Sequence, residues 1–75
     1  ELTRNEIKIL SMLIEHKNAI VERSDMMERL WDSDEFVDEN TLSVNVNRLR
    51  RTLEAIGITG AIKTHKGRGY SLSED

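Results

Sequence analysis

The stretch NTLSVNVNRLRRTLEAI, residues 40–56, decides how this chain folds. Leu42, Val46, Leu49, Leu53 and Ile56 recur at steps of four, three, four and three. That is the spacing of one apolar stripe on an α-helix. Thr41, Val44, Asn45, Arg48, Arg51 and Thr52 share a second face about 120° round from the stripe. This face carries two arginines, an amide and hydroxyls, and no acidic residue. Such a helix can rest its stripe on a core and present the other side to an anionic groove. There Arg suits guanine N7 and O6, Asn suits adenine or a phosphate, and Val suits a thymine methyl. The competing reading is a solvated helix face. Arg51 lies one turn beyond Arg48 and suits a phosphate. Arg50 lies on the opposite flank, where an i,i+4 pair with Glu54 competes with a phosphate contact. Asp38 or Asn40 can cap the helix, and Gly57 suits a left-handed terminator.

Charge is distributed unevenly along the chain. The net value is −3. Residues 1–39 hold 5 Lys/Arg against 11 Asp/Glu, whereas residues 40–70 hold 6 Lys/Arg against Glu54 alone. A basic pole on an acidic body attracts phosphates locally, because screening confines the field of each charge to roughly 8 Å.

The flanking segments supply a frame for that helix. Thr3 and Glu6 fit a capping box that opens a helix running to about residue 15 or 16. Its polar stripe is narrow, and Ile7, Ile9, Leu10, Met12, Leu13 and Ile14 spread over an arc of about 220°, where one-sided packing needs about 100°. Taking Ile7, Leu10 and Ile14 as the core face leaves Ile9, Met12 and Leu13 for a second partner. The chain is therefore expected to be part of a larger unit or to self-associate. A short strand at residues 19–21 and a second helix at residues 23–31 follow, with Met26, Met27, Leu30 and Trp31 on one face. Residues 32–39 form an acidic loop, and Trp31 and Phe36 are read as core or loop anchors. Strands at residues 62–65 and 70–72 flank the turn Lys66-Gly67-Arg68-Gly69, with the glycines supplying positive φ. The fold class is mainly α with a small β-sheet: a winged helix-turn-helix of three helices plus a C-terminal β-hairpin wing. Lys66 and Arg68 at the wing tip suit the negative potential of a minor groove; a charged turn that keeps a sheet edge from pairing is the alternative.

LTRNEIKIL, IVERSDMMERLW, VDENTLSVNVNRLRRTL and IKTHKGRGYSL together resemble the effector domain of OmpR/PhoB-type response regulators. Within that family, LSVNVNRLRRTLEAIGI resembles regulators of resistance to bacitracin, nisin and other cell-envelope peptides. The resemblance implies a cytoplasmic transcription regulator that binds promoter DNA as a dimer. Its receiver domain, phosphorylated by a sensor kinase, would precede this domain. It adds Thr64 and Tyr70 to the DNA-contacting set of Thr41, Val44, Asn45, Arg48, Arg50, Arg51, Lys66 and Arg68. It also implies an RNA polymerase contact at Asp34, Glu35 and Phe36, for which a solvated loop is the alternative. Family members start this domain with a small antiparallel sheet, and here the first residues are already those of the Leu-Thr-x-x-Glu helix. Residues 1–75 are therefore expected to be one effector domain shortened at its N-terminus. Glu22 stands where the family usually has Ser or Thr, so the second helix is expected to start without a good cap.

Other function classes find little support. There is no cysteine, hence no disulfide or thiolate metal site. His16 and His65 lack a second ligand at metal spacing, and no nucleophile is paired with a base. No cofactor, metal or catalysis is expected. The longest apolar run, Met12 to Ile14, is too short to span a membrane. The rival to DNA binding is an interaction module whose basic pole docks an acidic protein.

Overall fold

The computed structural model describes residues 2–31 and 37–73. Three helices and three strands follow one another as α1 (Arg4–Glu15), β1 (Ile20–Glu22), α2 (Arg23–Leu30), α3 (Glu39–Ala55), β2 (Ile62–His65) and β3 (Gly69–Leu72). The capping box forms: the Glu6 N–H donates to Thr3 Oγ1 at 3.2 Å, and the Thr3 N–H donates to Glu6 Oε1 at 3.0 Å. Asp38 caps α3 by accepting from the Thr41 N–H at 2.8 Å. Gly57, at φ 89°, terminates it. Glu22 makes no side-chain cap bond to α2, as a long carboxylate in place of a short hydroxyl leads one to expect.

The wing is broader than a hairpin. β2 and β3 pair antiparallel, with Thr64 opposite Tyr70 and His65 opposite Gly69. The tip closes through the Arg68 N–H to the His65 carbonyl at 2.8 Å, with Gly67 at φ 77°. β1 then adds to the far edge of β3, so the sheet order is β1-β3-β2. This ties the wing to the start of α2, where the Arg23 N–H donates to the Arg68 carbonyl at 2.8 Å. Gly69 permits the pairing. A Cβ there would stand 2.0 Å from the Val21 carbonyl oxygen, a backbone atom that cannot swing aside.

One core gathers Ile9, Met12 and Leu13 from α1, Met26 and Leu30 from α2, Leu42, Val46 and Leu49 from α3, and Val21, Val37 and Ile62. This corrects the reading of the first helix. Ile9 and Leu13 are fully buried, while Ile7 and Ile14 are 51% and 55% exposed and Leu10 is half-buried. The arc is as wide as its sequence says, but the core takes the opposite half. A wide arc does not encode its own centre; the neighbours choose it. Leu10 and Ile14, with Leu53, Ile58, Ala61 and Leu72, line an open groove of 640 Å³. Trp31, expected as an anchor, is 55% exposed. Phe36 lies outside the described residues.

Truncating the two halves of α1 separates these readings. Ile9→Ala should cost about 2–5 kcal/mol, as for a fully buried aliphatic. Ile14→Ala in the same chain should cost well under half as much, and paired urea midpoints check the difference.

Candidate nucleic-acid interface

Rotation of α3 settles which side chains face outward. Leu42, Val46 and Leu49 point into the core, and so does Asn45, only 7% exposed. The outer surface therefore carries Asn40, Ser43, Val44, Asn47, Arg48 and Arg51, all exposed. No acidic residue occurs between positions 40 and 53. Val44, Arg48 and Arg51 stand where the sequence put them. Asn45 does not: its Nδ2 donates to the Thr41 carbonyl at 2.9 Å, so its amide serves the helix and not an outer face. Thr41 is half-buried, and Thr52 donates its hydroxyl to the Arg48 carbonyl at 3.1 Å. Asn40, Ser43 and Asn47 were absent from the sequence-derived set. At 100° per residue they fall about 100–160° round from the apolar stripe on the flank opposite Thr41 and Arg48, and the exposed face takes in both flanks.

Five arginines and a lysine meet different surroundings. No ion-pair partner for Arg48, Arg51 or Lys66 occurs among the described residues. Arg68 at the wing tip pairs with Glu22 at 3.0 Å. Arg23 pairs with Glu39 at 3.1 Å, linking the starts of α2 and α3. These pairs are largely exposed and so contribute at most about 1 kcal/mol each. Arg50, instead of pairing with Glu54, turns back onto the sheet: Nη2 donates to the Ile62 carbonyl at 3.3 Å and to Thr64 Oγ1 at 2.5 Å. Tyr70 is half-buried beneath the same guanidinium. A shallow cleft between the wing and the first turns of α3 is lined by Ser43, Thr64, Gly67 and Arg68 among others. Asp34, Glu35 and Phe36, the expected polymerase contacts, lie outside the described residues.

The family described as "Transcriptional regulatory protein, C terminal" matches residues 1–72. The chain belongs to this family, the OmpR/PhoB-type output domains. It is 49% identical to the sensory transduction protein BceR of Halalkalibacterium halodurans over all 75 residues, which make up 32% of that relative. It is also 49% identical to the response regulator GraR of Staphylococcus aureus over 73 residues, 97% of this chain and 33% of that one. The chain thus spans about a third of the length of the curated relatives it matches. Among solved structures, the C-terminal domain of the nisin resistance regulator NsrR superposes with a TM-score of 0.83 at 42% identity, covering 99% of this chain and 75% of that one. The DNA-binding domain of the response regulator AdeR, solved in complex with an intercistronic region, gives 0.86 at 32% identity, covering 100% and 77%. The family is one of transcriptional regulators and not of enzymes.

Glu6, at the start of α1, feels the charge of Arg48 on α3. The residue is buried, and its carboxylate accepts the Thr3 N–H. Those bonds to Thr3 hold its carboxyl below the usual carboxylate range, with the charge of Arg48 adding a smaller pull in the same direction. A lowered folded pKa stabilises the fold above the unfolded pKa, and that contribution fades as pH falls through the folded value. Glu6→Gln should therefore cost most stability near pH 7. The gap between variant and parent in urea midpoint should narrow steadily as the pH is taken down through the carboxylate range.

Proposed function

We propose that this chain is the sequence-specific, double-stranded DNA-binding output domain of a two-component response regulator. α3 lies in the major groove and the wing tip, residues 66–68, lies at a minor groove. The observation that carries the reading is the outer face of α3. Val44, Asn47, Arg48 and Arg51 form a cationic, hydrogen-bonding surface with no carboxylate on it, flanked by Lys66 and Arg68. The AdeR domain bound to DNA, which this chain matches at a TM-score of 0.86, supports it.

Arg48 reads a base edge, and Arg51 and Lys66 take phosphates or the narrow minor groove. Arg68 must release Glu22 to join them, an exchange of one carboxylate for one phosphate. Thr41 and Thr64 border the contact, Tyr70 supports it, and Asn45 acts by holding the helix. The whole protein would carry a receiver domain whose phosphorylation governs dimer formation on promoter DNA, in the cytoplasm, with RNA polymerase as a further partner. Its likeness to BceR, GraR and NsrR suggests a promoter of cell-envelope defence genes. Residues 1–75 form a single effector domain in this reading.

A duplex selected from a random pool provides the target for testing. Arg48→Ala should lose about 1–3 kcal/mol on that duplex and relax preference at one base pair; a fluorescence anisotropy titration measures both. Lys66→Ala should weaken selected and random duplexes alike, and flatten the slope of log K against log salt by about 1. Weak, sequence-independent binding by the parent protein would favour the rival reading of a basic pole that docks an acidic protein.

A further inference from the structure

Arg50 has the chemistry of a DNA contact and the geometry of something else. It is half-buried. Its Nε and Nη2 both donate to the Ile62 carbonyl, at 3.4 and 3.3 Å. Nη2 also reaches Thr64 Oγ1 at 2.5 Å. Nη1 donates to Asn47 Oδ1 at 3.0 Å, and the guanidinium carbon stands 5.9 Å from the centroid of the Tyr70 ring. Ile62 and Thr64 belong to β2, Tyr70 to β3 and Asn47 to the outer face of α3. One planar group thus hydrogen-bonds to β2 and to a side chain on the recognition surface, and lies over the Tyr70 ring of β3.

The core reaches the wing through Ile62 of β2, with Tyr70 and Leu72 of β3 packed against it. β1 and the start of α2 hold the β3 side of the tip through the Arg68 carbonyl, whereas Thr64, two residues nearer the tip than Ile62, holds the β2 side, which leads to Lys66, through its Arg50 bond. Lys cannot replace this. A guanidinium presents donors in a rigid fork to several acceptors at once and stacks on an aromatic face, whereas an ammonium is a point charge on a flexible stem.

We propose that Arg50 is a positioning residue for DNA recognition: it ties the recognition helix to the wing and sets the Asn47 amide, and it takes no phosphate itself. This rests on the DNA-binding reading above and deepens it. Asn47 is then a base or backbone reader whose side chain is held before DNA arrives by the Arg50 bond to Oδ1, with Nδ2 left to donate to DNA.

Two measurements on the Arg50→Lys and Arg50→Gln variants test this. Without DNA, NMR order parameters for residues 66–69 should fall in both variants while those of α1 stay unchanged; wing order equal to the parent's overturns the tie. With the selected duplex, both variants should lose affinity, Lys should not rescue, and the salt slope should stay that of the parent. Crossing each with Lys66→Ala completes the test. The fold-loss from Lys66→Ala should shrink by at least about twofold in the Arg50→Lys background, the sign of coupled sites. Equal fold-losses in both backgrounds, or a slope lower by about 1 with rescue by Lys, would make Arg50 an independent phosphate contact. Loosened wings with no loss of binding to the selected duplex would keep the tie and overturn its role in recognition. Parent protein that does not prefer the selected duplex, beside loosened wings in the variants, would instead condemn the DNA-binding reading.

Discussion

Everything at the outer surface depends on how α3 is rotated about its own axis. Leu42, Val46 and Leu49 lock into Ile9, Met12 and Leu13 of α1 and Met26 and Leu30 of α2, and these side chains are almost wholly buried. A turn of the helix by one residue, about 100°, would drive a polar side chain into that core at a cost no domain of this size can bear. The same lock that buries the stripe therefore aims Val44, Asn47, Arg48 and Arg51 outward. Recognition geometry is a by-product of core packing, not a separate design.

The sheet does for the wing what the core does for the helix. β3 is paired on both edges, and Gly69 stands opposite both Glu22 and His65, with no room for a Cβ against the Val21 carbonyl. Attachment through β1 brings the wing tip beside the start of α2, so Glu22 and Arg68 meet, and Arg23 meets Glu39. Acidic and basic residues that sequence order sets far apart become neighbours across a shallow cleft. The acidic body neutralises the margin of the basic pole, while Arg48, Arg51 and Lys66 remain available at its centre.

Much of this was legible beforehand. Helix and strand placement needed only local rules: the four-three-four-three stripe, the Thr3–Glu6 box, Asp38 before α3, glycines at residues 57 and 67. Each depends on neighbours within a few residues, so each is written locally. The missing cap at Glu22 was legible for the same reason. The family followed from motifs distributed over most of the chain.

By itself, then, the sequence determined which segments are helical, where they stop, that a basic helix and a basic turn lie on an otherwise acidic chain, and to which family the chain belongs. Only the tertiary structure decided the rest. It chose Ile9, Met12 and Leu13 over Ile7 and Ile14 as the core half of α1, because a 220° arc of similar side chains carries no preference until partners pack on it. It turned Asn45 inward and Asn47 outward, because helix rotation is fixed by contacts from other elements. It gave β1 to the wing and Arg50 to Ile62 and Thr64. Those pairings join residues more than ten positions apart, and hydrogen bonds over such separations exist only once the whole chain has closed around its core.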